Sequence, residues 1–191
     1  TNSGTVIASI AAGRAHDAAG NANNASTSTD NTTTYQYTQP PSTGGLIGNT
    51  NNGTFTDTLW YNGAWIEACQ FRAASNMTVI AIHAKVTAIT GNYKCAIYSG
   101  SISLPSSLLQ TTAEVSNPST GWQTFALNAP QALTNGNYYW LAIWSDSPNA
   151  QAYYTDDTSG TIRWVQYDYG TWPNPLDATE GGTFQYCIYA D

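Results

Sequence analysis

The chain has 191 residues, of which 9 % are charged, against roughly 25 % in an ordinary soluble domain. Five basic and twelve acidic residues give a net charge of -7, which excludes a surface built to bind phosphates or nucleic acid. Lys and Glu are too scarce for a mainly helical protein, whereas aromatic residues, which suit strands, make up 13 % of the chain. No apolar run approaches the roughly 18 residues of a membrane span. We therefore predict an all-β fold with no membrane span and no nucleic-acid partner.

Residues 1–37 are poor in large apolar side chains and contain two predicted strands, 5–10 and 32–37, with a turn-rich segment between them. The N-terminal sequence has no basic region followed by a long apolar region, so it is not an intact signal peptide. We expect a processed or truncated N-terminus, as in mature secreted material, and a location outside the cell or on its surface. Residues 38–45, TQPPSTGG, read as a linker because two prolines and two glycines flank a Ser-Thr pair.

Residues 46–191 carry about eight short predicted strands, separated by Gly, Pro and Asn at intervals of 8 to 15 residues. Such spacing is typical of an antiparallel β-sandwich or jelly roll. The predicted strands are 69–71, 79–86, 93–98, 122–127, 138–144, 151–154, 162–169 and 184–189. Alternation within them predicts that Trp122, Phe125, Tyr138 or Tyr139, Trp140 and Phe184 face the core.

The segment HDAAGNANNASTSTDNTTTYQY resembles the end of bacterial immunoglobulin-like domains that occur in tandem on large surface proteins. The resemblance covers about 35 residues and implies the last two or three strands of such a domain. Three strands of this composition bury too little apolar area to fold alone. We therefore expect their edges to pair with a neighbouring domain or a second chain.

A second resemblance covers most of residues 46–191 and rests on YKCAIY, GWQTFAL, NGNYYWLAIWSDS, GTWPNP and FQYCIYAD. The segment resembles jelly-roll modules that are appended to bacterial, archaeal and phage surface proteins and to polysaccharide-degrading enzymes. This resemblance implies a non-catalytic β-sandwich of a kind often discussed as carbohydrate-binding.

Sugar recognition needs apolar ring faces for C–H groups and amide or carboxylate groups for hydroxyls. Trp60, Tyr61 and Trp65 surround the turn Asn62-Gly63, which places three rings at one hairpin tip. A second candidate group lies in and before RWVQYDYGTWP, where a strand face with rings and charges is expected to meet solvent. Its proposed ligand-binding residues are Asp156, Arg163, Trp164, Tyr167 and Trp172. Trp172 has an alternative reading, because a Trp before a proline also plugs a turn.

Enzyme motifs are absent from the sequence. Glu67, Glu114 and Glu180 form no recognisable pair for glycoside hydrolysis, and the His and Cys residues are not spaced for zinc. No cofactor is required by this reading, although calcium is retained for Asp17, Asn21 and Asp30, whose oxygens suit that ion. The alternative for these residues is plain turn formation. No disulfide is predicted.

Two functions follow from these features. The first is a non-enzymatic extracellular module that binds a glycan or surface polymer in adhesion or targeting. The second is a structural subunit of an extracellular filament, in which the N-terminal strands complete a sheet in a neighbouring copy of the chain.

Overall fold

The computed structural model describes residues 4–7, 10–25, 32–35, 45–156 and 159–191. The chain divides into two compact units, Thr1–Gln39 and Pro40–Asp191. The described segments contain no helix, so none of them has the length and hydropathy of a membrane-spanning helix.

The first unit contains a two-stranded antiparallel sheet made of β1 (Gly4–Ile7) and β2 (Thr32–Tyr35). Both strands fall in regions predicted to be strands, with shorter described extents. Between them, residues 10–25 include a tight turn closed by a bridge between His16 and Ala22.

The second unit is built from fourteen described strands that pair antiparallel throughout. In chain order they are β3 (Ile47–Gly48), β4 (Phe55–Thr58), β5 (Trp65–Arg72), β6 (Met77–Val86), β7 (Asn92–Gly100), β8 (Pro105–Thr111), β9 (Val115–Ser116), β10 (Gly121–Leu133), β11 (Tyr138–Ser145), β12 (Gln151–Thr155), β13 (Ile162–Gln166), β14 (Glu180–Gly182), β15 (Gln185–Tyr186) and β16 (Ile188–Ala190).

These strands form two seven-stranded sheets. Sheet I has the order β15-β12-β6-β16-β3, with β10 also pairing with β6 and β4 with β12. Sheet II has the order β14-β13-β5-β11-β7-β8, with β9 also pairing with β7. The prediction of an all-β antiparallel sandwich is confirmed.

The main core lies between the two sheets, where side chains such as Ile82, Phe125 and Ile143 are fully buried. The predicted burial of Phe125, Tyr139 and Trp140 is confirmed. Phe184 is half-buried and packs against the core edge. The prediction for Trp122 is wrong, because Phe125 points inward and alternation then turns Trp122 to the outer face of sheet I. Its indole N–H donates there to Asn52 Oδ1 at 2.8 Å.

A second apolar cluster covers the outer face of sheet II. The segment that connects β13 to β14, residues 167–179, crosses this face and buries Trp172, Leu176 and Ala178 against it. Trp140 and Trp144 of β11 are fully buried in this cluster. Sheet II is therefore covered on both faces, which explains why β11 is buried along nearly its whole length.

The predicted strands differ from the structure at several points. β4 and β8 were not predicted, and β5 and β10 extend beyond the predicted 69–71 and 122–127. The strand predicted at 162–169 ends at Gln166, because the chain then leaves sheet II to cover its outer face. The strand predicted at 184–189 is split at Cys187, which donates its N–H to Tyr153 and accepts from Lys85. This residue marks the point where the chain changes partner from β12 to β6.

Candidate functional site

The turn between β4 and β5 fixes the positions of Tyr61 and Trp65, two aromatic residues of the predicted hairpin tip. Asn62 and Gly63 both have positive φ values, 53° and 141°. Glycine and asparagine adopt such values more readily than other residues do. The Tyr61 N–H donates to the Gly63 carbonyl at 3.0 Å, which closes the turn. The Trp65 indole N–H donates to the Tyr61 carbonyl at 2.9 Å, so this turn also fixes the orientation of the indole.

A row of three side chains crosses sheet II at the same end of the sandwich. Glu67 on β5 lies directly opposite Trp164 on β13, and Trp164 lies opposite Glu180 on β14. Directly opposed residues of antiparallel strands share a face, so the three side chains point to one side of the sheet. The Trp164 indole N–H donates to Glu180 Oε2 at 3.2 Å.

These two groups of residues line one cavity of about 410 Å³, within the usual range of roughly 300–1,000 Å³ for small-ligand sites. We call it the acidic–aromatic cavity. It is lined by three aromatic rings, three carboxyl groups and one hydroxyl: Tyr61, Trp65, Trp164, Asp57, Glu67, Glu180 and Thr58. Asp57 and Thr58 belong to sheet I and the row of three to sheet II, so the cavity opens between the sheets.

Glu67 is the most deeply placed carboxyl group of the cavity, with 5 % of its surface exposed. The Tyr186 hydroxyl donates to Glu67 Oε2 at 2.6 Å and lies 3.4 Å from Asp57 Oδ2. Burial raises the pKa of Glu67 to about 8; the Tyr186 hydrogen bond opposes that rise and the nearby charge of Asp57 adds to it. Glu67 therefore keeps its proton at neutral pH. The same surroundings raise the pKa of Tyr186, so its hydroxyl stays protonated too.

The structure brings together three of the ring residues proposed from the sequence, Tyr61, Trp65 and Trp164. Trp60 also belongs to the hairpin but is half-buried against the cluster on the outer face of sheet II. Tyr167 is 38 % exposed and lies outside the cavity. Asp156 is exposed and is not part of the cavity lining either.

Arg163 and Trp172 serve other contacts. Arg163 is opposite Ala68 rather than Glu67, and its Nε–H donates to the Ser103 carbonyl at 3.0 Å. Trp172 is 8 % exposed, in keeping with the turn-plugging alternative. It packs beside the Lys94 ammonium, which donates to the Gly170 carbonyl.

Sequence reasoning missed the acidic half of the cavity. Glu67 and Glu180 form no pair in the sequence, yet the strand order places both in one cavity with Asp57. One signal was present: in AWIEACQF, Glu67 is flanked by the apolar residues Ile66 and Ala68 and stands at an inward position. A carboxyl group at such a position is rarely buried without a specific reason.

The residues proposed for calcium form a hydrogen-bonded turn. Asp17 Oδ1 accepts from the N–H groups of Ala19 and Asn21, and Oδ2 accepts from the Asn21 amide, each at 2.9 Å. The Asn21 hydrogen bonds lower the pKa of Asp17. Asp30 lies outside the described residues. Within the described ranges, no three His, Cys, Asp or Glu side chains converge on a point that could hold a metal ion.

All three cysteines are buried free thiols. Cys69 Sγ accepts from the Tyr186 N–H at 3.3 Å, and Cys187 Sγ accepts from the Gly53 N–H at 3.1 Å. Burial raises the pKa of each thiol, so the three cysteines act as apolar core residues rather than as nucleophiles.

No family model matches the chain, and no curated protein matches it. A solved structure of the clostridial cysteine protease Cwp84 after propeptide cleavage has a TM-score of 0.53 at 12 % identity, covering 87 % of this chain and 44 % of that chain. A structure of the cysteine protease and lectin-like domains of Cwp84, titled a surface layer associated protein of Clostridium difficile, has a TM-score of 0.48 at 12 % identity, covering 86 % and 39 %. The chain thus spans less than half the length of either solved chain. The first likeness shows a shared fold.

Proposed function

We propose that the second unit is a non-catalytic extracellular or cell-surface module whose acidic–aromatic cavity binds a glycan. The observation that carries the proposal is the joint lining of one cavity by Tyr61, Trp65 and Trp164 with three carboxyl groups. Aromatic faces suit the C–H side of a pyranose, and carboxyl groups accept hydrogen bonds from its hydroxyls. The few charges on the chain also suit a neutral or cationic surface polymer better than an anionic one.

A hydrolytic role is less well supported by the same cavity. Glycoside hydrolysis needs two carboxyl groups on opposite sides of the scissile bond, about 5 to 10 Å apart. Trp164 separates Glu67 from Glu180 in the register of sheet II, and its indole N–H donates to Glu180. Asp57 and Glu67 lie closer together, but the Tyr186 hydroxyl bridges them at 3.4 and 2.6 Å and takes the place that a glycosidic bond would need. We expect no hydrolysis of a bound oligosaccharide.

Glycan binding is tested with an array of neutral, acidic and amine-bearing glycans, followed by calorimetric titration of each glycan that binds. Tyr61 is 70 % exposed, so Tyr61→Ala removes a cavity ring at little risk to the fold. We expect it to weaken binding roughly tenfold, equivalent to about 1.4 kcal/mol. Tyr167→Ala is the matched control, because it removes an exposed tyrosine outside the cavity and should leave affinity unchanged. Absence of glycan binding, or equal losses in the two variants, would overturn the proposal.

The first unit supports a second candidate function, a structural subunit of an extracellular filament. In its described residues, β1 and β2 pair with each other and with no third strand. A two-stranded sheet is marginal in water and has two open edges, which another copy of the chain could extend. Negative-stain microscopy and sedimentation across protein concentration test this candidate: filaments support it, and a monomer at all concentrations contradicts it.

A further inference from the structure

We propose that the acidic–aromatic cavity selects glycans that carry ammonium groups, that is, amino sugars with free amines. The inference rests on the proposed glycan-binding function and names the ligand class. It is carried by two features of the cavity: carboxyl groups without a cationic partner, and aromatic walls.

The first feature is the charge of the lining. Asp57, Glu67 and Glu180 line the cavity, and no Lys, Arg or His does so. Among the residues that the structure describes, the one ion pair within 4.0 Å joins His83 to Asp191, on another part of the molecule. Because Glu67 holds a proton at neutral pH, the charge of the lining comes from Asp57 and Glu180, and neither has a cationic partner in the described chain. A bound cation would supply the missing charge.

The second feature is the set of rings. Tyr61, Trp65 and Trp164 line the same cavity and offer faces to which an ammonium group is attracted. The protein already holds an ammonium group among rings elsewhere. Lys94 Nζ lies 4.1 Å from the Tyr169 ring centroid and 4.4 Å from that of Trp144. The fold thus already holds one ammonium group against aromatic rings, which is the interaction proposed for the ligand.

Binding of such a cation is linked to the release of a proton from Glu67. The titratable groups that face Glu67 are Asp57 on β4, Tyr186 on β15 and Cys69 on its own strand, with Glu180 on β14 lining the same cavity. Glu67 holds a proton at pH 7, since its pKa is about 8. An ammonium beside it favours the carboxylate, so binding releases a proton from Glu67. The amines of linked glucosamine lose their own protons near neutral pH, so the titrations are made at about pH 6, where these amines are charged and Glu67 is protonated.

The experiment compares three oligosaccharides of equal length by calorimetric titration of the full chain: β-1,4-linked glucosamine with free amines, its N-acetylated form, and the glucose oligomer. A linear polyamine of equal charge is the fourth ligand. We expect the free-amine oligosaccharide to bind at least tenfold more tightly than the other two sugars. Titrations in two buffers of different ionisation enthalpy should show the released proton.

Three substitutions locate the effect. Glu180→Gln removes an exposed carboxylate of the cavity and should weaken binding of the free-amine oligosaccharide roughly tenfold. Asp168→Asn removes an exposed carboxylate outside the cavity and should leave it unchanged. Glu67→Gln should abolish the proton release; circular dichroism checks that each variant is folded.

The outcomes separate the inference from the function on which it rests. Equal or tighter binding of the acetylated or glucose oligomer, lost in Tyr61→Ala, overturns ammonium selection and leaves glycan binding standing. Polyamine binding as tight as that of the amino sugar supports ammonium recognition but overturns a carbohydrate function. Binding of none of the four ligands overturns the inference, and equal losses in Glu180→Gln and Asp168→Asn do so as well.

Discussion

Glu67 has an unusual environment for a carboxyl group. Its strand neighbours Ile66, Ala68 and Cys69 are buried, and Tyr186 and Asp57 lie close to its carboxyl group. The sequence indicates that the position is unusual, because a glutamate stands among apolar residues. It cannot indicate the neighbours, since Tyr186 is 119 residues away in the chain.

The raised pKa of Glu67 predicts a specific dependence of stability on pH. The folded protein keeps this proton up to a pH of about 8, whereas the unfolded chain releases it near the ordinary pKa of 4.5. Protonated Glu67 therefore stabilises the fold fully at low pH, and this contribution is lost as pH rises. We expect the free energy of unfolding to fall by up to about 1.4 kcal/mol per pH unit between pH 5 and 8.

Denaturant unfolding of wild type and Glu67→Gln across this range measures the effect. The Gln variant should lack the decline, because its amide does not titrate. Glu180→Gln, which alters an exposed carboxylate, should retain it. Parallel pH profiles of wild type and Glu67→Gln would contradict a buried, protonated Glu67.

Lys94 predicts a second effect at the scale of one residue. Its ammonium contacts the rings of Trp144, Tyr169 and Trp172 and donates to the Gly170 carbonyl. Burial lowers its pKa, while the charges of Glu114 and Asp146 oppose that change. Lys94→Met keeps the apolar stem and removes these contacts, so we expect a loss of about 1–2 kcal/mol in the free energy of unfolding.

Lys85→Met is the matched control, because Lys85 contacts a single ring, that of Tyr153, at 4.4 Å. We expect a loss of under about 0.5 kcal/mol in that variant. A Lys94→Met protein as stable as wild type in chemical denaturation would show that the rings do not favour the ammonium.

At the scale of elements, the positions of most strands were predictable from the sequence, but the segments that pack against those strands were not. Alternation and turn residues locate most long strands of the second unit, and the turn Asn62-Gly63 is correctly placed. They do not locate β8, because PSSLLQT has no aromatic residue and a single β-branched one. The cover on the outer face of sheet II was not predictable, because residues 167–179 have the composition of a loop. The sequence around Trp172 suits both an exposed ligand-binding side chain and a side chain that fills a turn. Its packing against sheet II shows that it is buried.

Residues 167–179, which cover the outer face of sheet II, are expected to contribute to stability but not to ligand binding. Trp172→Ala removes a large buried side chain from the cluster with Trp144 and Tyr98 and leaves a cavity. We expect a loss of about 3–5 kcal/mol in the free energy of unfolding. Glycan affinity, measured below the unfolding transition, should stay unchanged because Trp172 does not line the acidic–aromatic cavity. A stable variant with lost binding would assign Trp172 to the site instead.

At the scale of the whole molecule, the core and the candidate site belong to one unit. Every residue of the buried core between the sheets falls within Pro40–Asp191, and so does the lining of the acidic–aromatic cavity. The change in composition near residue 38 predicts a division of the chain close to this boundary. It could not reveal the cavity, whose walls come from both sheets and meet only after the sandwich has closed.

The confinement of core and cavity to one unit predicts that residues 40–191 fold and bind without residues 1–39. We expect a melting temperature within a few degrees of that of the full chain and the same glycan affinity. Scanning calorimetry and titration of the two chains side by side measure this. Loss of folding or of binding in the shorter chain would place part of the core or of the site in the first unit.

Ligand binding at the acidic–aromatic cavity is tested by nuclear magnetic resonance of the seven tryptophan indole N–H groups. Addition of a glycan that binds should shift the signals of Trp65 and Trp164, which line the cavity. The signals of Trp122, on the outer face of sheet I, and of the buried Trp140 should stay in place. Shifts confined to Trp122, or binding with no change at Trp65 and Trp164, would contradict the account.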